Sequence, residues 1–166
     1  MQQELYWKEL FSLRTNVEYV EQWLSRSEWI DRAMSVFLAI VASSSIGAWA
    51  VWKEYATLWA AVIASSQVIT AVRSFLPYQE RLKAFASLRN SLEELFIYAD
   101  TRWTDVAAGT LSVEEIAKLR EEIRKRAHEY LRKAFPSSTI PRNEQFQDRA
   151  QLRAEEYFDT FYSVRS

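Results

Sequence analysis

Apolar positions recur at helical spacing through most of the chain. Tyr6, Leu10, Leu13, Val17, Val20 and Leu24 step by 4, 3, 4, 3 and 4 residues, which is a heptad seam. Phe85, Leu88, Leu92, Leu95, Ala99 and Trp103 repeat the pattern with steps of 3, 4, 3, 4 and 4. No helix breaker falls between Gln2 and Trp52, and only Pro77 interrupts Tyr55 to Trp103. The spacing therefore predicts two long antiparallel helices, with Pro77 as a kink or hinge in the second. Gly109-Thr110 marks a loop, and Ser112 with Glu115 forms a capping box that opens a third helix. Ile116, Leu119, Ile123, Ala127, Tyr130 and Ala134 give that helix one apolar stripe. PSSTIP, from Pro136 to Pro141, ends it. A fourth helix begins near Asn143 and carries Phe146, Ala150, Tyr157, Phe158, Phe161 and Tyr162.

Between the two seams the pattern changes from amphipathic to uniformly apolar. Residues 33–52, AMSVFLAIVASSSIGAWAVW, carry no charge, and fifteen of the twenty are apolar. Residues 55–72, YATLWAAVIASSQVITAV, again carry no charge, and thirteen of the eighteen are apolar. A membrane-spanning helix needs about 20 such residues. Only Lys53-Glu54 separates the windows, so the expected architecture is all-α, a two-span transmembrane hairpin with long cytosolic helical extensions and two additional cytosolic helices. Residues 1–32 form the cytosolic N-terminal helix and 33–72 the hairpin. Residues 73–104 continue the second helix, and 105–166 hold the C-terminal helical pair. Thirty-two polar, helix-patterned residues precede the first window, far more than the n-region of a secretory signal. The alternative is a soluble helical bundle in which the Ala- and Ser-rich windows form a core.

Aromatic placement supports the membrane. Trp49, Trp52, Tyr55 and Trp59 flank the turn and Trp29 precedes the first window, as in an interfacial belt. Orientation follows from basic residues. Arg26, Arg32, Arg73, Arg81, Lys83 and Arg89 lie on the outer flanks against Lys53 alone in the turn. Both termini are thus expected on the cytoplasmic side of the inner membrane.

The polar residues inside the spans are the most informative. Ser43, Ser44 and Ser45 sit in the first and Ser65, Ser66 and Gln67 in the second, both near mid-depth. Gln67, Thr70 and Ser74 continue one face toward the cytoplasm. Two readings stay open: a water-lined path in an oligomer, or interhelical glue. Ser43-x-x-x-Gly47 and Ala60-x-x-x-Ala64 suit close packing of small residues in a homo-oligomer.

Composition then narrows the chemistry. There is no Cys and a single His128, which removes thiolate and poly-histidine metal sites. Two Gly leave no phosphate-cradling loop, and a formal net charge of −1 argues against a nucleic-acid partner. Paired acids such as Glu93-Glu94 and Glu155-Glu156 lack a companion nucleophile. No catalysis, metal or cofactor is expected. Arg124, Lys125, Arg126, Arg132 and Lys133 could meet an anionic ligand or lipid, but Glu121, Glu122 and Glu129 are interleaved. That interleaving favours a salt-bridged, solvated face.

The layout of a helical arm, a two-span hairpin with the Trp-rich turn WAVWKEYATLW, and a helix running on through YQERLKAFASLRNSLEELFIYADTRW resembles the SLATT group of bacterial two-transmembrane effectors. The resemblance implies a membrane-breaching homo-oligomer tied to nucleotide-signalled antiviral defence. Without a nucleotide-generating or nucleotide-sensing domain, its trigger would come from a cytosolic partner or the cytosolic helices. The class-distinct alternative is a non-conducting membrane scaffold that recruits a cytosolic protein.

Overall fold

The computed structural model describes residues 2–44, 56–75, 78–136 and 139–162, and every secondary-structure element among them is an α-helix. These are α1 (Gln2–Ser44), α2 (Ala56–Phe75), α3 (Tyr78–Ala107), α4 (Val113–Ala134) and α5 (Glu144–Tyr162). The chain divides into two compact units. One, the bundle, comprises Met1–Leu24 and Lys83–Ser166, and the other, the apolar unit, comprises Ser25–Leu82. Pro77, expected as a kink, and the turn residues Lys53 and Glu54 lie outside the described residues.

In the bundle the two heptad seams meet. Tyr6, Leu10, Leu13, Val17 and Val20 are buried from α1, with Phe85, Leu88, Leu92, Leu95 and Ala99 from α3. Leu24 and Trp103, the last residue of each seam, are half-buried against the same core. The pairing is antiparallel. Tyr6 stacks on Trp103 and donates its hydroxyl to the Ala99 carbonyl at 2.8 Å, whereas Trp23 stacks on Phe85 near the opposite end. Burying one such side chain is worth about 1.5–3 kcal/mol, so these seams dominate the stability of the unit.

Two further helices close the bundle in up-down-up-down order. Helix α4 starts where the sequence requires. The Ser112 hydroxyl accepts from the Glu115 N–H, and the Glu115 carboxylate accepts from the Ser112 N–H at 2.7 Å. Hydrogen bonding of the carboxylate to Ser112, through the backbone N–H first and then the side chain, holds the exposed Glu115 carboxyl below its ordinary value. Ile116, Leu119 and Ile123 of α4 are buried. Arg120 donates to the Gln2 side chain and Arg124 pairs with Glu9 at 2.6 Å, while Phe135 packs on Phe85 at 4.9 Å. Helix α4 therefore runs parallel to α1.

Helix α5 returns antiparallel to α1. The Asn143 side chain caps it by accepting from the Phe146 N–H at 3.1 Å. Phe146 meets Trp23 edge-on at 5.1 Å, and Phe158 meets Trp7 at 4.8 Å. Ala150 and Ala154, both fully buried, let the α5 backbone approach closely between those two aromatic anchors. Tyr162 donates to Asp100 of α3. Trp7, Trp23 and Trp103 are thus core residues of the bundle, which accounts for three of the seven tryptophans.

Candidate functional site

The apolar unit builds its surface from the opposite chemistry. All twenty buried apolar side chains among the described residues belong to the bundle. Within the apolar unit no described apolar side chain is fully buried: Ile30, Met34, Phe37, Leu38, Val41, Val62 and Ile69 are half-buried, and others are exposed. Val68 is 61% exposed, Ile40 and Leu58 are each 58% exposed, and Val36 and Ile63 are similarly open. Ser66 is the one side chain of this unit buried among the described residues, at 7%.

Several described hydroxyls of the two windows bond within their own helices. Ser43 donates to the Ile40 carbonyl at 3.0 Å and Ser65 to the Ala61 carbonyl at 2.8 Å. Ser66 donates to the Ile63 carbonyl at 2.7 Å, and Thr70 to the Ser66 carbonyl at 2.8 Å. Such back-bonding lets a hydroxyl sit in an apolar medium with no partner on another helix. An amide at position 67 lacks that option, and Gln67 is exposed on α2. Ala60 and Ala64 are exposed on the same helix. Ser45, Gly47, Trp49, Trp52 and Tyr55 lie outside the described residues, as do the side chains of Ser44, Trp59 and Ser74.

Trp29, expected at the membrane interface, is 70% exposed. It opens a shallow groove of about 420 Å³ that continues along α1 through Arg32, Ala33, Val36, Phe37 and Ile40. This strip carries an indole and a guanidinium at one end and only apolar side chains beyond them. That is the order of chemistry met on passing from headgroups into hydrocarbon. Asp31 of α1 accepts from the Gln79 side chain at 3.3 Å, a polar contact on the Trp29 side of the apolar strip.

The five cations between Arg124 and Lys133 of α4 behave differently from one another. Arg124 is engaged by Glu9. Arg126 is held by Glu122 and lies 5.2 Å from the centroid of the Tyr98 ring. Lys125, Arg132 and Lys133 are exposed. His128 is exposed as well, and no group of three His, Cys, Asp or Glu residues among the described residues is placed to hold a metal ion.

A feature not singled out from the sequence joins three helices through charge. Arg14 of α1 donates to Glu18 at 2.6 Å and to Glu93 of α3 at 3.3 Å. Its guanidinium lies 4.5 Å from the Tyr157 ring centroid and 5.3 Å from that of Phe96. Arg153 of α5 reaches Glu18 at 3.5 Å, and Arg89 bridges Glu21 at 2.8 Å and Glu93 at 3.7 Å. The available signal was the placement of Arg14, Glu18 and Glu21 beside the α1 seam, opposite Arg89 and Glu93 beside the α3 seam. The network is half-buried and ties α1, α3 and α5 in one register, although Arg14 Nε and Glu93 Oε2 are buried without a hydrogen-bond partner.

Among the described residues, no helix is long and apolar enough to cross a membrane. The first charge-free window runs on past Ser44, beyond the described part of α1. Comparison of the chain with protein-family models, curated proteins and solved structures finds no match.

Proposed function

We propose that the chain is an integral membrane protein, in which residues 33–52 and 55–72 cross the bilayer as a hairpin and the bundle stands at the cytoplasmic surface. The observation that carries this reading is the exposure of Val36, Ile40, Leu58, Ile63 and Val68 along α1 and α2, in a unit where no described apolar side chain is fully buried. Two adjoining windows free of charge, and the Lys and Arg bias on their outer flanks, point the same way.

Its action on this reading is permeabilisation by a homo-oligomer, since two spans cannot enclose a pore alone. Small residues at Ser43, Gly47, Ala60 and Ala64 supply close-packing faces, and exposed Gln67 supplies an amide that only another polar surface or lumen water can satisfy in a membrane. The resemblance to SLATT-type effectors fits such an assembly. A second reading, the non-conducting scaffold, is favoured by the bundle's complete core and exposed outer faces, which suit recruitment of a cytosolic protein.

The test is fractionation followed by leakage. The protein should sediment with membranes, resist high-salt washing and be released by detergent. Reconstituted into dye-loaded vesicles, it should cause leakage, and Gln67→Leu should abolish leakage with the oligomer intact if the amide lines the path. Loss of the oligomer in the same variant assigns Gln67 to helix association. Stable insertion without leakage selects the scaffold, and release by salt alone refutes insertion.

A further inference from the structure

The bundle has two chemically different ends. At one end the chain leaves after Leu24 and returns at Lys83. Trp23, Phe85, Phe135 and Phe146 meet there, so this exit end also holds the C-terminus of α4, the 135–143 connection and the start of α5. The connection is anchored by Tyr19, whose hydroxyl donates to the Pro141 carbonyl at 2.7 Å and accepts from the Asn143 N–H at 3.0 Å. Five exposed cations occupy this end: Lys83, Arg132, Lys133, Arg142 and, one turn along α5, Arg149.

None of these five makes an ion pair among the described residues. Elsewhere in the bundle most cations are paired, Lys8 with Glu4, Arg14 with Glu18, Arg89 with Glu21, Arg102 with Asp105, Arg124 with Glu9, Arg126 with Glu122 and Arg153 with Glu18. Those without an ion pair among the described residues, Lys118, Arg120 and Lys125, are spread along α4. The exposed carboxylates that share the exit end are Glu129, Glu144 and Asp148, fewer than the cations. Arg132 and Lys133 complement the dipole of α4, but Arg142 lies in a connection and Lys83 in the first turns of α3. The helix dipole therefore explains only part of the collection.

We propose that this exit end is an electrostatic docking surface for the anionic lipid leaflet that the neighbouring spans enter. The proposal rests on the membrane reading above. A nucleic acid would require a larger excess of positive charge, since the three carboxylates would oppose a continuous phosphate track. A leaflet requires less. On the membrane reading only residues 25–32 and 73–82 separate this end from the spans, so a modest attraction per cation would act at high effective concentration. Docking would clamp the bundle end against the bilayer and make its position depend on lipid charge.

The chain has no cysteine, so one introduced thiol reports its own position. Thr139→Cys, exposed in the exit-end connection, would be labelled with a fluorophore on the full-length protein. It would be reconstituted in vesicles of phosphatidylcholine with or without phosphatidylglycerol, each containing a headgroup spin-label quencher. Quenching should be strong with the anionic lipid, weak without it, and reversed by high salt. Combining Arg132→Gln, Lys133→Gln and Arg142→Gln should remove it, because each cation strengthens attraction to an anionic surface about fivefold. Lys118→Gln with Lys125→Gln, exposed cations away from the exit end, should leave it unchanged. Equal quenching across lipids, salt and both sets of variants, with the protein in the vesicle fraction, overturns the docking alone. Recovery of the protein outside the vesicles overturns the membrane reading and the docking together.

Discussion

The bundle and the apolar unit are both helical, yet they solve the burial problem in opposite ways. The bundle places two heptad seams face to face, encloses them with α4 and α5, and leaves charge on its surface. The apolar unit leaves Val36, Ile40, Leu58, Ile63 and Val68 exposed, buries Ser66 and ties Ser65, Ser66 and Thr70 to its own backbone. Helical periodicity alone does not distinguish them. The difference lies in whether charged residues separate the apolar turns. In the bundle they do, so one stripe per helix can be hidden from water. Across residues 33–52 and 55–72 they do not, and no single face can hide every apolar side chain.

That contrast can be broken first in the core. Leu92→Ala removes a buried side chain from the α3 seam and should cost about 2–5 kcal/mol in denaturant unfolding. Ile63→Ala, on an outward position of α2, should cost under about 0.5 kcal/mol in detergent by the same measurement. Equal losses would make Ile63 a core residue and end the distinction.

Charge substitution reverses the ranking. Val68→Arg should reduce the membrane-inserted fraction by an equivalent of about 2.5–3.5 kcal/mol, the penalty for a cation near the centre of a span. Ile97→Arg, at an equally exposed site on the bundle, should stay within about 0.5 kcal/mol of the parent by unfolding and leave insertion unchanged.

The Arg14 network sharpens the account of the bundle. Arg14→Met keeps much of the volume but leaves Glu18 and Glu93 without the shared guanidinium, and should cost about 1–3 kcal/mol. Adding Glu18→Gln should recover part of that loss if uncompensated carboxylate charge is the cause. No recovery would assign Arg14 to packing on Phe96 and Tyr157.

The smallest effect is a pH dependence confined to the bundle. Burial raises the Tyr6 hydroxyl well above its ordinary value of 10, and burial followed by the hydrogen bond to Asp100 raises Tyr162 likewise. A group with a raised folded value stabilises fully below the unfolded value and loses that contribution as pH rises toward the folded one. The bundle should therefore weaken above about pH 10. Tyr6→Phe should flatten part of that slope and lose the bond to Ala99. A parent stability independent of pH between neutrality and about 11 would contradict the burial of these two hydroxyls.

Much of the bundle was legible in advance because its information is local and periodic. Ten of the twelve seam residues of α1 and α3 are buried, Leu24 and Trp103 are half-buried at the seam ends, and the Ser112–Glu115 box begins α4 where expected. Phe146, Ala150 and Phe158 on α5 are likewise buried. The Arg14–Glu18–Glu93 network was not legible, since partners on different helices carry no fixed spacing. Nor was the packing of Trp7 and Trp23, which lie beside the predicted α1 seam, whereas Trp103 stood on the α3 seam. The windows were readable as lengths without charge. What their serines do was not, because a hydroxyl bonded to its own helix and one lining a lumen have the same sequence.

The central claim is that the outward apolar faces of α1 and α2 meet lipid. Its most direct test compares single thiols at Val68→Cys and Ile97→Cys in the reconstituted, otherwise cysteine-free protein. The account predicts that position 97 reacts readily with a membrane-impermeant maleimide. Position 68 should resist it and be quenched by nitroxides placed on lipid acyl chains. Rapid labelling at both positions, with no acyl-chain quenching at 68, would contradict it.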